Sequence, residues 1–181
     1  MKKTLILCDC QLDFVTGSMS VKKKGKEAVE RTKIFINRNK EDIDKIIFKV
    51  VINQQDCPLF KRNGGEYPSF CVEWTPGCCI EPTILKLLVR LNIPYEINTD
   101  FCEMNISEEN EVIVAGMNGN TTVKECIEHF WNVYETFLLW PGVWFPYHDE
   151  KLFKWLRDHS QGIFEIPKRN VKTDLFVQRI K

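Results

Sequence analysis

The stretch Thr4-Leu5-Ile6-Leu7-Cys8-Asp9 is a short apolar run that ends at a carboxylate. A continuous apolar run of this length is typical of a strand buried on both faces, as in a parallel sheet. In open parallel sheets, ligands bind beyond the carboxyl ends of the strands. Asp9 is therefore our first candidate functional residue, because partial burial raises the pKa of a carboxyl group and suits it to acid–base chemistry.

Further apolar runs alternate with segments of helical periodicity. The runs predict strands at 45–52, 93–97, 111–115, 135–140 and 162–166, and the periodicity predicts helices at 25–37, 81–91, 149–159 and after a capping Asn120. Pro141-Gly142 is expected to end the strand before it. The alternation predicts an α/β fold, a three-layer α/β/α sandwich around a mostly parallel sheet of about six strands. We expect residues 1–181 to form a single domain, because the sequence shows no linker or repeat.

Composition excludes several classes of protein. Lys and Arg total 25 and Asp and Glu total 25, so the formal net charge is zero and no nucleic-acid partner is expected. No apolar segment approaches the roughly 20 residues that span a bilayer, and the first apolar run is too short for a signal peptide. We therefore expect a cytoplasmic protein without membrane contact, whose eight cysteines are reduced. The local basic run at Lys22, Lys23, Lys24 and Lys26 is interpreted as a solvent-exposed loop that leads into a helix.

Three junctions follow predicted strands, at 8–14, 53–70 and 116–122. Because the carboxyl ends of parallel strands meet at one edge of the sheet, these junctions are expected to converge. Asp13 is expected to bind loop amides, as Asp side chains do in turns.

These junctions carry a resemblance to a known family. Three segments resemble, in this order, motifs of the isochorismatase-like hydrolases, which include nicotinamidases. They are Asp9-Cys10-Gln11-Leu12-Asp13-Phe14, Gly64-Gly65-Glu66-Tyr67-Pro68-Ser69-Phe70-Cys71-Val72 and the strand Val112-Ile113-Val114-Ala115-Gly116. The resemblance covers roughly residues 4 to 132. It implies the family's three-layer fold, with Asp9 as its catalytic acid or base.

The sequence departs from the family at other site positions. The metal ligands of the family fall on Gln55, Cys57 and Phe70, and these residues do not make a divalent-metal site of that kind. The nucleophilic cysteine falls on Thr122, a poor nucleophile without an adjacent base. The family's lysine, expected near Asn98, has no counterpart there. We therefore expect no metal and no cofactor, with Asp9 as the main catalytic candidate and Thr122 as a weak one.

A ligand pocket is predicted around Asp9. Its expected lining residues lie at the three junctions: Phe14, Gln55, Tyr67, Phe70 and Asn118. The aromatic rings, with Trp74, either hold a planar ligand or fill the core beneath the loops. The predicted partner is a small organic molecule, aromatic or nucleotide-like.

Three functions remain open at this point. The chain is a catalytically degenerate, small-molecule-binding member, or a metal-independent isochorismatase-type hydrolase with Asp9 as general acid, or a structural or protein-interaction subunit. Gln55 matches the metal-free branch of the family, and Cys126 is considered as a displaced nucleophile. Nicotinamidase-type amide hydrolysis is not expected. The aromatic cluster Trp140, Trp144, Phe145 and Tyr147 predicts a buried interface, and hence a homodimer.

Overall fold

The computed structural model describes residues 2–20 and 23–163, in which six strands form a sheet. They are β1 (Lys3–Cys8), β2 (Ile43–Lys49), β3 (Tyr95–Asn98), β4 (Glu111–Gly116), β5 (Thr136–Val143) and β6 (Gln161–Ile163). Their spatial order is β3-β2-β1-β4-β5-β6, and every neighbouring pair is parallel. The central strand β1 is buried from Thr4 onward, as its continuous apolar run predicted.

Helices cover the sheet in two groups. They are α1 (Leu12–Val15), α2 (Lys23–Asn39), α3 (Pro82–Leu91), α4 (Thr122–Phe130) and α5 (Glu150–His159). Helix α2 packs against α3, β4 and β5, whereas α4 packs against α5, β1 and β4. This arrangement confirms the predicted α/β class and the six-stranded sheet. Within the described residues, no helix is both long enough and apolar enough to cross a membrane.

Local signals set the ends of several helices. Helix α3 begins with Pro82, whose missing N–H matters least at this position, and ends at Asn92 in the left-handed conformation. Helix α5 begins after Asp149, whose carboxylate accepts hydrogen bonds from the N–H groups of Lys151 and Leu152. These caps explain why the predicted bounds of both helices agree with the structure to within one residue.

Several boundaries were predicted wrongly. Strand β2, predicted at 45–52, spans Ile43–Lys49, and helix α2, predicted at 25–37, spans Lys23–Asn39. Strand β5 continues through Pro141 and Gly142 to Val143. Its pairing with β4 shifts register between Val114 and Gly116, so the proline lies at an irregularity of the ladder. Proline is tolerated there because the irregular pairing does not need its missing N–H. Asn120 does not cap α4. The residue before that helix is Thr121, which makes no side-chain capping bond. The predicted strand at 162–166 is observed as β6, and its positions 164–166 lie outside the described residues.

The sheet order places a cleft at one end of β1 and β4. Connections from β1 lead toward β2 and β3 on one side, whereas β4 leads toward β5 and β6 on the other, so the order reverses between the two central strands. Gly116 ends β4 with φ +130°, and a Cβ there would overlap the carbonyl oxygen of Cys8. The N–H of Met117 donates to that same oxygen at 2.8 Å. The two strand ends are therefore held close together just before Asp9.

Candidate functional site

The Asp9 carboxyl group joins two of the predicted junctions. Its Oδ2 accepts hydrogen bonds from Thr122 Oγ1 at 2.6 Å and from Asn118 Nδ2 at 2.7 Å. The Asp9 side chain is completely buried, whereas Asn118 and Thr122 are half-buried above it. The structure thus brings Asp9 together with Asn118 and Thr122, which are 109 and 113 positions further along the chain.

Backbone geometry directs these side chains toward each other. Asp9 has φ 53° and Asn118 has φ 57°, both in the left-handed region that Asp and Asn occupy more readily than most residues. The N–H of Asp9 still extends the sheet, donating to the carbonyl oxygen of Lys49 at 2.8 Å. The chain therefore turns sharply at the end of β1, and the Asp9 carboxyl group reaches the first residue of α4.

The electrostatic surroundings of Asp9 favour its neutral form. Burial raises the pKa of the carboxyl group, and this effect outweighs the hydrogen bonds from Thr122 and Asn118 and the charge of Lys49, all of which lower it. The Oδ1 atom of Asp9 is buried and has no hydrogen-bond partner among the described residues. Oδ2 of the carboxyl group therefore already accepts two hydrogen bonds. Oδ1 can accept a hydrogen bond from a ligand or, when it is protonated, donate one.

Sequence reasoning missed Lys49, the cation whose charge acts on Asp9. It is the last residue of β2, and it lies in register between Cys8 of β1 and Asn98 of β3. Its ammonium group lies 5.2 Å from the centre of the Phe101 ring and 3.4 Å from the Val50 carbonyl oxygen. The available signal was a lysine that ends a buried apolar run, whereas the family resemblance had placed the lysine near Asn98.

Asn98 lies where the family resemblance placed a lysine, and its side chain is an amide instead. Its Nδ2 atom is buried and has no hydrogen-bond partner among the described residues. The ends of β1, β2 and β3 therefore carry, side by side, an unpartnered acceptor oxygen on Asp9, the ammonium group of Lys49 and an unpartnered amide donor on Asn98.

The loop before α4 is tied to the segment that follows β5. Trp144 exchanges backbone hydrogen bonds with Gly116 and Gly119 at 3.0 and 2.9 Å, and the Asn120 side chain bonds both the N–H and the carbonyl of Tyr147. The Phe145 ring occupies the space that a Cβ of Gly119 would need. These contacts position Asn118 and Thr122 over Asp9.

The aromatic cluster predicted to be an interface packs largely within the chain. Trp140 and Phe145 are 5.5 Å apart between ring centres, and both contact Phe153 of α5 at 5.6 and 4.8 Å. Tyr147 remains 59% exposed. Burial within one chain therefore accounts for most of the cluster.

The aromatic residues predicted to line the pocket pack on one another. Phe70 lies 5.7 Å from Phe14, 6.3 Å from Tyr67 and 5.6 Å from Phe60, which the sequence analysis had not singled out. Phe14 and Phe70 are buried, whereas Tyr67 is 44% exposed. Trp74 is 93% exposed and does not belong to this cluster. Within this group, the structure thus favours core packing for the phenylalanines.

Asp13 and Gln11 hold the loops that surround the site. The Asp13 carboxylate accepts hydrogen bonds from the N–H groups of Cys71 at 2.7 Å and Ser18 at 3.1 Å, which confirms its predicted role. The buried Gln11 amide donates to the carbonyl oxygens of Val51 and Cys78 and accepts from the Val51 N–H. The loops at 51–53 and 71–78 are therefore fixed to the segment after β1.

Cys126 does not occupy the position of a displaced nucleophile. Cys126 is completely buried. Burial, followed by the neighbouring Cys126 side chain, raises the pKa of Cys8. A thiol that is packed into the core in this way is inert toward a ligand at Asp9.

Comparisons with known proteins agree with this geometry. No family model and no curated protein matches the sequence. Solved structures do match: yeast nicotinamidase bound to the inhibitor nicotinaldehyde has a TM-score of 0.69 at 20% identity, covering 87% of this chain and 96% of its own. Pyrococcus horikoshii pyrazinamidase in complex with zinc has a TM-score of 0.64 at 17% identity, with coverages of 88% and 97%. Thermoplasma acidophilum N-carbamoylsarcosine amidase has a TM-score of 0.63 at 13% identity, with coverages of 87% and 92%.

The chain has the isochorismatase-like hydrolase fold.

Among the described residues, no three His, Cys, Asp or Glu side chains are grouped so that they could hold a metal ion such as the zinc of the Pyrococcus horikoshii structure. Gln55 is exposed, its carbonyl oxygen accepts from Asn63 at 3.1 Å, and its surroundings include Glu73 and Trp74. Gln55 therefore lies in a surface depression whose described lining does not include Asp9.

Proposed function

We propose that this chain binds a small organic molecule at Asp9 and is a catalytically degenerate protein of the isochorismatase-like fold. One observation carries the proposal: the buried Asp9 carboxyl group presents an unpartnered Oδ1 beneath Asn118 and Thr122, at the point where the sheet order reverses. A buried polar atom without a partner costs about 1–3 kcal/mol, which a ligand that donates or accepts a hydrogen bond there recovers. Thr122 carries a hydroxyl group rather than a thiol, and this hydroxyl donates to Asp9, so Thr122 is no substitute for a nucleophilic thiolate in amide hydrolysis.

The neighbouring strand ends suggest the chemistry of the ligand. Lys49 and the open Nδ2 of Asn98 are donors suited to a carbonyl or carboxylate oxygen. Because adjacent strands lie about 4.8 Å apart, β1 and β3 are separated by roughly 10 Å, the length of one substituted ring. We therefore favour a planar ring that bears a carbonyl or carboxylate group.

Acid-catalysed hydrolysis is the second candidate. The raised pKa of Asp9 favours a neutral carboxyl group that can protonate the double bond of a vinyl ether. Water then adds to the resulting cation, the carbon–oxygen bond to the leaving alcohol breaks, and the proton that the water releases returns to Asp9. This route needs no metal and no nucleophilic thiol, and Asn118 and Thr122 would keep the carboxyl group in place through Oδ2.

A panel of nicotinamide, nicotinate, benzoate and isochorismate tests both candidates. At a concentration 100 times the Kd, a ligand adds about 2.7 kcal/mol of stability, which is a rise of about 5–11 °C in Tm for a chain of this size. We expect such a rise for the unsubstituted chain and for the control Asp158→Asn, whose carboxylate is exposed on α5. Asp9→Asn, which keeps the size of the side chain, should lose it.

Product analysis separates binding from catalysis. Ligand binding without product supports the degenerate protein, and turnover that disappears in Asp9→Asn supports the acid hydrolase. Equal Tm shifts in Asp9→Asn and the unsubstituted chain would refute a site at Asp9.

We further propose that the chain works in a reducing compartment, as a homodimer. All eight cysteines lie in the described residues, and none forms a disulfide. The exposed ring of Tyr147, beside the loop that positions Asn118, is available to a second copy. Light scattering at micromolar concentration tests the dimer, and a monomeric mass would contradict it.

A further inference from the structure

A basic groove lies between α2 and α3, in the helical layer that does not contain α4. Its volume is about 950 Å³, within the range of small-molecule sites. Six of its lining side chains are basic: Lys23, Lys26, Arg31, Lys33, Arg38 and Arg90. Among the described lining residues only Glu27 and Glu30 are acidic, so these side chains carry an excess of four positive charges in a chain whose formal net charge is zero.

Ion pairs within the chain leave much of this charge uncompensated. Glu30 pairs with Lys33 at 2.7 Å, and Glu27 pairs with Lys23 at 3.9 Å. Lys26, Arg31 and Arg90 are exposed and make no hydrogen bond or ion pair within residues 2–20 and 23–163. Three cations are thus available to an anion from solution.

The residues that line the groove indicate which class of anion it can bind. Its apolar members are Ile34 and Leu87, and among the described lining residues no aromatic ring offers a surface on which bases could stack. Residues 164–181 hold five basic and two acidic side chains, so the net charge of this segment has the same sign as that of the groove. From Lys23 to Arg38 the helix rises about 22 Å, which is long enough for several phosphate groups in a row.

We propose that this groove binds a small molecule that carries two or more phosphate groups. The guanidinium groups of Arg31 and Arg90 approach it from opposite helices and can each hold a phosphate through two N–H donors. The groove lies on α2 and α3, whereas the Asp9 site lies at α4, so this site is independent of the function proposed above.

Titration calorimetry with inorganic tripolyphosphate tests the proposal on the full chain. We expect binding at 20 mM NaCl that weakens at 150 mM NaCl, and an affinity at least about tenfold lower in the double variant Arg31→Gln/Arg90→Gln, because two charge-assisted contacts are lost. The matched control is Lys154→Gln/Arg157→Gln, which removes the same charge from exposed positions on α5 and should bind as the unsubstituted chain does. ATP in place of tripolyphosphate shows whether a nucleoside adds affinity.

Three results would overturn the proposal. The first is that tripolyphosphate does not bind at 20 mM NaCl, and the second is that the two double variants lose the same affinity. The third is that a 12-nucleotide RNA or an anionic vesicle binds more tightly than tripolyphosphate through the same arginines. All four substituted side chains are exposed, so both variants should keep the Tm of the unsubstituted chain, which is measured alongside.

Discussion

Replacing Thr122 with valine removes one hydroxyl group and keeps the shape of the side chain. The lost hydrogen bond, 2.6 Å long, ends on a fully buried carboxyl group. A hydrogen bond to a charged group contributes about 1.5–3 kcal/mol, and one to a neutral group about 0.5–1.5 kcal/mol. Because Asn118 still donates to the same oxygen, the loss should not exceed these ranges.

The cost of Thr122→Val should depend on pH. Asp9 has a pKa above the value of 3.8 expected for an unfolded chain, so its contribution to stability is fully present below that value and is lost as the pH rises through the pKa of the folded state. The Thr122 hydroxyl lowers this pKa, and its removal raises it further. The variant should therefore lose about 1 kcal/mol more at high pH, where Asp9 is ionised, than at low pH.

Thermal and urea unfolding between pH 4.5 and 8, under reducing conditions, measures this difference. At high pH we expect a fall in Tm of about 3–12 °C for a chain of this length. Thr121→Val is the matched control, because its hydroxyl group is exposed and contacts only the Asn118 carbonyl oxygen at 3.5 Å. Equal effects of the two substitutions, or a pH-independent loss in Thr122→Val, would refute the reasoning.

Three other predictions concern the frame of the site. Asp13→Ala leaves two loop N–H groups without an acceptor and should lower the free energy of unfolding by about 2–4 kcal/mol, measured in urea. Gly116→Ala should prevent folding, as seen by circular dichroism, whereas Gly64→Ala, which also has positive φ but open space around it, should cost only about 1–2 kcal/mol. In the native protein, iodoacetamide followed by mass spectrometry should modify the exposed Cys79 and leave the buried Cys126 unmodified.

The continuous apolar runs predicted the sheet correctly, since burial on both faces demands such runs in a parallel sheet. The run before Asp9 located β1, and Gly116 located the end of β4. The path of β5 through Pro141 escaped prediction, because the register shift that accommodates a proline depends on the neighbouring strand.

Part of the site was predictable for a similar reason. Asp9, Asn118 and Thr122 follow adjacent strands, and the rule for parallel sheets brings such residues together. Lys49 was missed because its influence on Asp9 comes from the pairing of β2 with β1. Gln55 was misplaced at the Asp9 pocket, because nothing in the sequence shows that its loop turns outward to the surface.

The left-handed turns at Asp9 and Asn118 restrict how this site can change. Only glycine, asparagine and aspartate occupy such a turn readily, and most other residues add about 1–2 kcal/mol of strain. An alanine substitution at either position therefore tests the backbone as much as the side chain. Exchange of Asp for Asn leaves the turn intact and replaces one oxygen acceptor, with its charge, by an amide donor. Over many generations of mutation, the backbone thus lets the site trade an acid for an amide while it opposes apolar replacements, and the pocket stays polar whatever chemistry it serves.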